Sequence, residues 1–257
     1  MRKFGLIGYP LSHSFSEKYF AQKFEREGIT GCSYELFPLE NIEDVRLLFE
    51  VQKDLRGLNV TIPYKESVIE YLDGLDPIAQ KIGAVNCIRI DEIQRIGFNT
   101  DHAGFRDALK PLLLRQHTRA LVLGTGGASK AVLYALQELG IATTIVSRTA
   151  GKYAISYADI TAEMMRAHTL IINTTPLGMH PHVEDFPPLP YEHISPDHLL
   201  FDLIYNPAET VFMQKGRAQG AKVSNGYTML QLQAEYAWDI WNEMEEDTEE
   251  GQTGVAE

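Results

Sequence analysis

No apolar run in the 257-residue sequence approaches the roughly 18 to 20 residues that a membrane span requires, so a helical membrane protein is not expected. Cysteine is scarce: Cys32 and Cys87 allow at most one disulfide and match no zinc spacing, which suits a reducing compartment and reads them as packing residues. Positive charge is also short, with 23 Lys and Arg against 35 Asp and Glu and a net charge of -12. This argues against a nucleic-acid binder, whose affinity rests on neutralising phosphates. His13, His180 and His182 have no carboxylate partners at metal-ligand spacing, so they read as loop histidines and no metal is expected. There is no internal repeat, and the basic start at Met1 reaches Gly8-Tyr9-Pro10 too early for a signal-peptide core. That start is read as the first strand of a cytoplasmic protein.

Hydrophobic content of 44% and charged content of 23% are ordinary for a globular chain, and the length suffices for one large or two modest domains. More than half of the net charge sits in residues 243–257, which hold seven acids and no Lys or Arg. A solvated tail over 247–257 is expected there. Before it, apolar runs alternate with helical patterns from end to end, which points to α/β architecture with mostly parallel pairing. Strands are expected at Phe4–Gly8, Ser33–Phe37, Leu58–Thr61, Ala120–Leu123, Ala142–Ser147, Leu170–Ile172 and Leu199–Ile204. Ala84–Ile90 and Gln94–Phe98 flank Asp91-Glu92 as a hairpin. Helices are expected over Ser14–Glu27, Asn41–Lys53, Lys65–Leu72, Gly127–Leu139 and Tyr227–Glu245, with a domain boundary near Asn99 to Asp101.

Four stretches carry chemistry. In Gly57-Leu58-Asn59-Val60-Thr61-Ile62-Pro63-Tyr64-Lys65, apolar residues on one parity and Asn59 and Thr61 on the other fit a half-buried strand with a ligand-facing polar side. Pro63 ends it just before Lys65. Ser14 and Glu17 form an S-x-x-E capping pattern, and Ser14 and Ser16 at a helix start also suit a carboxylate ligand. Leu123-Gly124-Thr125-Gly126-Gly127-Ala128-Ser129 follows a strand and opens a helix, the context of a dinucleotide turn, with Ser129 replacing the third glycine. The next strand ends Ser147-Arg148-Thr149 with Lys152 close behind, where an NAD site would place an acid, so the pattern favours NADP.

Together, Gly8-x-Pro10-x-x-His13-Ser14-x-Ser16, Asn59-Val60-Thr61-x-Pro63-x-Lys65, Gly83-Ala84-Val85-Asn86, Gly97-x-Asn99-Thr100-Asp101, Gly124-x-Gly126-Gly127-Ala128 and Gly226 to Gln233 resemble shikimate dehydrogenases in order and spacing. The resemblance covers essentially everything before the acidic tail. It implies a substrate-binding and catalytic domain over 1–100 plus 228–246, with a mostly parallel sheet. A Rossmann-type NADP-binding domain over 101–227 accompanies it, and the C-terminal helix returns to the first domain. It implies reversible NADPH-dependent reduction of 3-dehydroshikimate to shikimate, by a monomer or homodimer. Lys65 and Asp101 match the catalytic pair. Ser14, Ser16 and Tyr205 match the carboxylate ligands, and Asn59, Thr61, Asn86 and Gln233 match the residues that hold ring hydroxyls. Gly124, Gly126, Gly127, Ala128, Ser147, Arg148, Thr149, Lys152, Thr174, Met179 and Gly226 match cofactor-contacting positions. The sequence departs from the family pattern at Glu17, where proline is usual, at Cys87, where threonine is usual, and at Ser147, where asparagine is frequent. A quinate/shikimate dehydrogenase using NAD, or a noncatalytic dinucleotide sensor, are the alternatives.

Overall fold

The computed structural model describes residues 1–11 and 14–243. Ser12, His13, the expected end of the last helix at residue 245 and the acidic tail lie outside them. The chain divides into two compact units, Met1–Thr100 with Gln233–Glu257, and Asp101–Leu232. The division inside the last helix follows Leu232, whereas the motif pattern puts it after Tyr227.

The first unit contains β1 (Arg2–Gly8), α1 (Phe15–Glu27), β2 (Cys32–Pro38), α2 (Val45–Val51), β3 (Leu55–Val60), β4 (Gly74–Leu75), α3 (Pro77–Ile82), β5 (Cys87–Ile90) and β6 (Arg95–Phe98). These form one sheet in the order β2-β1-β3-β5-β6-β4. Its β2-β1-β3 part is parallel, while β3-β5 and the β5-β6 hairpin are antiparallel. Alternation along β3 decides the two faces. Leu58 and Val60 pack with Ile7, Val45, Val68 and Ala79 on one side. Gly57 and Asn59 belong to the other.

The second unit contains α4 (Asp101–Leu109), β7 (Arg119–Leu123), α5 (Gly127–Glu138), β8 (Ala142–Ser147), β9 (Ala154–Ser156), α6 (Ala162–Ala167), β10 (Leu170–Asn173), β11 (Leu199–Asp202), α7 (Val211–Ala218) and β12 (Lys222–Ser224). Its sheet is parallel throughout, in the order β12-β11-β10-β7-β8-β9. The chain winds outward from β7 in one direction and from β10 in the other, the doubly wound order of dinucleotide-binding folds. The fully buried Leu121, Val122, Leu170, Ile171, Ile172, Leu199 and Leu200 on three central strands reflect coverage of both faces.

The helix α8 (Tyr227–Asn242) supplies Met229 to the core of the second unit and Ala234, Ala237 and Trp241 to that of the first. Trp241 occupies the space that a side chain at position 57 would need: a Cβ on Gly57 would lie 2.3 Å from its Nε1. The indole stacks on Phe4 with centroids 4.9 Å apart and donates to the Ile88 carbonyl at 3.0 Å.

Two expected helices differ. Residues 42–44 form a 3-10 turn before the short α2, and the helix expected over Lys65–Leu72 is only a 3-10 turn, Ser67–Tyr71. The Lys65 carbonyl accepts from the Val85 amide at 2.7 Å, which diverts it from the i+4 bond that an α-helix would use. Strand β3 starts earlier than expected and ends at Val60. Thr61 lies beyond it, with its amide still donating to the Ile7 carbonyl at 2.9 Å.

Trp241→Ala is expected to lower unfolding free energy by about 3–5 kcal/mol, as for loss of a buried aromatic, measured by urea denaturation. A loss under about 1 kcal/mol would mean that α8 is not a structural part of the first unit.

Candidate active site

In the first unit, a cluster of buried polar side chains gathers where β3 ends and β5 begins. Asn59, Asn86, Thr100 and Gln233 are 4%, 2%, 2% and 7% exposed. Burial of amides and hydroxyls at that depth requires partners. The Thr100 amide donates to Asn86 Oδ1 at 2.6 Å. Asn86 Nδ2 donates to Thr100 Oγ1 at 2.9 Å and to Gln233 Oε1 at 3.4 Å, and Thr100 Oγ1 donates to the Gln233 carbonyl at 3.0 Å. Asn59 Nδ2 donates to the Asn86 carbonyl at 3.4 Å, while its Oδ1 accepts from the Tyr34 hydroxyl at 2.8 Å. Asn59, Asn86 and Gln233, nominated separately by motif, are thus brought together. Thr61 and Lys65 follow β3 half-buried.

Ser14 is the N-cap of α1, and its Oγ accepts from the Glu17 amide at 3.5 Å. A proline at 17 could not donate that bond, so Glu17 changes the cap and adds an acid where the helix dipole favours one. Ser16 is buried on the same turn. Burial pushes the Tyr34 phenol up. Cys87 packs with Phe4, Phe20 and Trp241, so the departure from threonine lies in the aromatic core. Neither cysteine is in a disulfide.

In the second unit, the turn after β7 has the shape that a pyrophosphate needs. Gly124 has φ +113°, and a Cβ there would lie 2.6 Å from Thr174 Oγ1. Nothing lies within 4 Å of a Cβ on Gly126, the N-cap of α5, which has no side-chain cap. The first amides of α5, at Gly127 and Ala128, open the helix as an anion site would require. Ser129 is buried, and its hydroxyl donates to the Gly126 carbonyl at 2.7 Å, so a small polar side chain replaces the third glycine without opening the packing. Thr174, just past β10, donates through its amide to the Leu123 carbonyl at 2.9 Å. The turn and the Thr174 loop therefore flank the β7/β10 switch point at the carboxyl edge, where such sheets take ligands.

At the end of the neighbouring β8, Ser147 Oγ donates to the Thr149 carbonyl and Arg148 is exposed. The guanidinium lies near enough to Tyr157 to oppose the rise that burial imposes on that phenol. The Lys152 ammonium lies 4.9 Å from the centre of the Tyr153 ring. Met179 is partly exposed in the loop after β10. Tyr205 is half-buried beyond β11, and burial raises its phenol. Gly226 has a reason of its own to lack a side chain: a Cβ would lie 2.1 Å from the Leu203 carbonyl oxygen. Asp101 is buried at the first position of α4. Among the described residues, no group of three or more His, Cys, Asp or Glu is arranged to hold a metal.

Residues 6–88 match the family described as the shikimate dehydrogenase substrate binding domain. The shikimate dehydrogenase (NADP(+)) of Clostridium beijerinckii is 40% identical to this chain over 262 residues, covering 96% of this chain and 94% of that protein. The chain belongs to the shikimate dehydrogenase family. The shikimate dehydrogenase (NADP(+)) of Caldanaerobacter subterraneus is 38% identical, covering 93% of this chain and 90% of that protein. The crystal structure of shikimate 5-dehydrogenase from Thermus thermophilus, in complex with NADP(H) and shikimate, has a TM-score of 0.84 at 34% identity, covering 95% of this chain and 94% of that one.

Two side chains outside the nominated set hold nominated positions or the loops beside them. Tyr34 is one, through the hydrogen bond from its hydroxyl to Asn59 Oδ1. Asp202 is the other, at the end of β11, fully buried and accepting from Asn173 Nδ2 at 3.0 Å, the Ile204 amide at 3.0 Å and Thr210 Oγ1 at 2.6 Å. Burial pushes its carboxyl up to about 6, against the pull of those bonds. A lone acid in Leu199-Leu200-Phe201-Asp202 was the available signal.

Gly124→Ala forces a side chain into a left-handed backbone and against Thr174. It is expected to lower stability by about 1–3 kcal/mol and to weaken NADP binding by roughly tenfold or more, measured by urea denaturation and by titration of NADP.

Proposed function

We infer that this chain is an NADP-dependent shikimate dehydrogenase. It reduces 3-dehydroshikimate to shikimate, reversibly, on the route to chorismate and the aromatic amino acids. The observation that carries the reading is the buried Asn59-Asn86-Gln233 cluster in a member of this family. Amide groups held in fixed orientation suit a polyhydroxylated ring, because a substrate lacking one hydroxyl would leave a desolvated partner unpaired. In this reading residues 1–100 with the C-terminal helix hold the substrate, and residues 101–227 hold NADP.

Bound NADP(H) supplies or accepts the hydride at the C3 position of the ring. Lys65 and Asp101 carry the proton. An ammonium stabilises the negative charge that grows on the C3 oxygen, and an ammonium and a carboxylate together provide the acid and base that the two directions require. Ser14, Ser16 and Tyr205 offer hydroxyls to the substrate carboxylate, and Asn59, Thr61, Asn86 and Gln233 hold the ring hydroxyls.

Gly124, Gly126, Gly127 and Ala128 cradle the pyrophosphate with backbone amides. Ser147, Arg148, Thr149 and Lys152 would hold the adenosine phosphate, where a guanidinium can bind a 2′-phosphate bidentately and Arg148 stands where an NAD site would place an acid. Thr174, Met179 and Gly226 flank the nicotinamide end. Two cysteines outside any disulfide suit a reducing cytoplasm as the place of action.

Oxidation of shikimate is measured with NADP and NAD side by side, and with quinate as a second substrate. Turnover of shikimate with NADP is expected to be fastest; faster turnover with NAD overturns the cofactor assignment, and no turnover with either overturns the activity. Lys65→Ala is expected to lower kcat by roughly 10²–10⁴-fold with NADP affinity unchanged. Unaltered turnover removes Lys65 from the chemistry. Arg148→Ala is expected to raise the NADP KM roughly tenfold or more, as for loss of a charge-assisted bond, and to leave the NAD KM where it was.

A further inference from the structure

Asn173 and Asp202 close β10 and β11 and stand opposite each other in the register of those parallel strands. Both side chains are fully buried. The Oδ1 of Asn173 accepts from the Thr175 amide at 3.0 Å and hydroxyl at 2.6 Å, and its Nδ2 donates to Asp202 Oδ1 at 3.0 Å and to the Leu177 carbonyl at 3.4 Å. Turned by half, the carboxamide would set its NH₂ against the Thr175 donors and its oxygen against two acceptors. The Asp202 carboxylate therefore helps decide which end of Asn173 faces the loop.

The same carboxylate holds the other end of that loop. Its Oδ2 accepts from the Thr210 hydroxyl at 2.6 Å, and Thr210 stands against Gly178: a Cβ on Gly178, whose φ is +102°, would lie 3.3 Å from Thr210 Cβ. The loop from Thr174 to Met179 thus rests on Asn173 at its start and against Thr210 near its end. An ionised acid suits this place because it only accepts, and the Asn173 amide, the Ile204 amide and the Thr210 hydroxyl all donate to it. A proton on either oxygen would oppose or displace one of these donors. We propose that Asp202 is a positioning residue of the cofactor site, its charged carboxylate fixing Asn173 and Thr210 so that residues 174–179 keep the shape that receives NADP. This rests on the reading that gives Thr174 and Met179 the nicotinamide end. Burial holds the Asp202 carboxyl up at about 6, so it is ionised at pH 8 and neutral by pH 5. The groups that face it from β10, from the turn after β11 and from the start of α7 are the neutral donors already named. Its charge also reaches the Tyr191 phenol, which burial raises and keeps neutral throughout that range.

Asp202→Asn keeps the size of the side chain and removes its charge. NADP binding to wild type and D202N is measured by calorimetry from pH 8 to pH 5, without substrate. At pH 8 the Kd of D202N is expected to lie roughly three- to tenfold above that of the wild type, the range of one buried hydrogen bond. As pH falls through about 6 the two are expected to converge, because the wild-type acid then becomes neutral like the amide. Titration of the cofactor's own phosphate is common to both proteins and drops out of their ratio. Thr175→Val removes the hydroxyl that meets Asn173 from the loop side, and is expected to raise the Kd at pH 8 in the same range. The D202N/T175V protein is expected to fall short of the product of the two single effects, because both changes interrupt one linkage. Equal Kd values for wild type and D202N at pH 8 overturn the proposal. So does a ratio that stays constant down to pH 5, which marks a structural role, and so does a fully multiplicative cycle. Should D202N not fold, Thr175→Val decides alone, and an unchanged Kd in it overturns the proposal. A wild type that does not bind NADP at any pH overturns the functional reading itself, and the proposal falls with it.

Discussion

The saturation of the Asn86 carboxamide is the constraint on which much of the first unit depends. At 2% exposure it cannot turn to water, and its partners are the Thr100 amide and hydroxyl and the Gln233 side chain. Thr100 is the last residue before the chain leaves the first unit, and Gln233 is the first after it returns. One side chain therefore holds both crossing points of the backbone. Each such bond left unmade would cost about 1–3 kcal/mol in desolvation. Because the three residues share donors and acceptors, loss of one weakens the others.

The second unit applies the same rule with a charge. Asp202 draws together Asn173 at the end of β10, Ile204 just beyond β11 and Thr210 at the N-cap of α7. Asn173 in turn accepts from the Thr175 amide at 3.0 Å and hydroxyl at 2.6 Å. The loop that carries Thr174 and Met179 is thus fixed from beneath, and so is the approach to Tyr205. The positions proposed to face ligand at this carboxyl edge are thus held by a buried carboxylate.

Local signals were legible in the sequence where they depend on neighbours in the chain. The parity of Leu58 and Val60 against Asn59 identified β3, and the glycines after Leu123 identified the turn into α5. The parallel architecture followed from the alternation of strand and helix. The Lys65–Leu72 helix misled because its periodicity is local, whereas the bond from Val85 that diverts the Lys65 carbonyl comes from another segment. Tyr34 was hidden for a related reason: nothing in β2 distinguishes a packed tyrosine from one whose hydroxyl reaches across β1 to Asn59. The joint between Thr100 and Gln233 spans a sequence separation of 133, far outside any pattern window.

The seat of Trp241 against Gly57 and Phe4 bears on how the chain comes into being. During synthesis the second unit is a continuous stretch, Asp101–Leu232, and can fold as soon as it has left the ribosome. The first unit cannot close in the same way, since Phe4, Phe20 and Cys87 wait for Ala234, Ala237 and Trp241, which are made some 140 or more residues later. An aromatic sheet surface therefore stays open while the whole of the second unit is made. For that interval the strands that carry it present apolar surface open to aggregation.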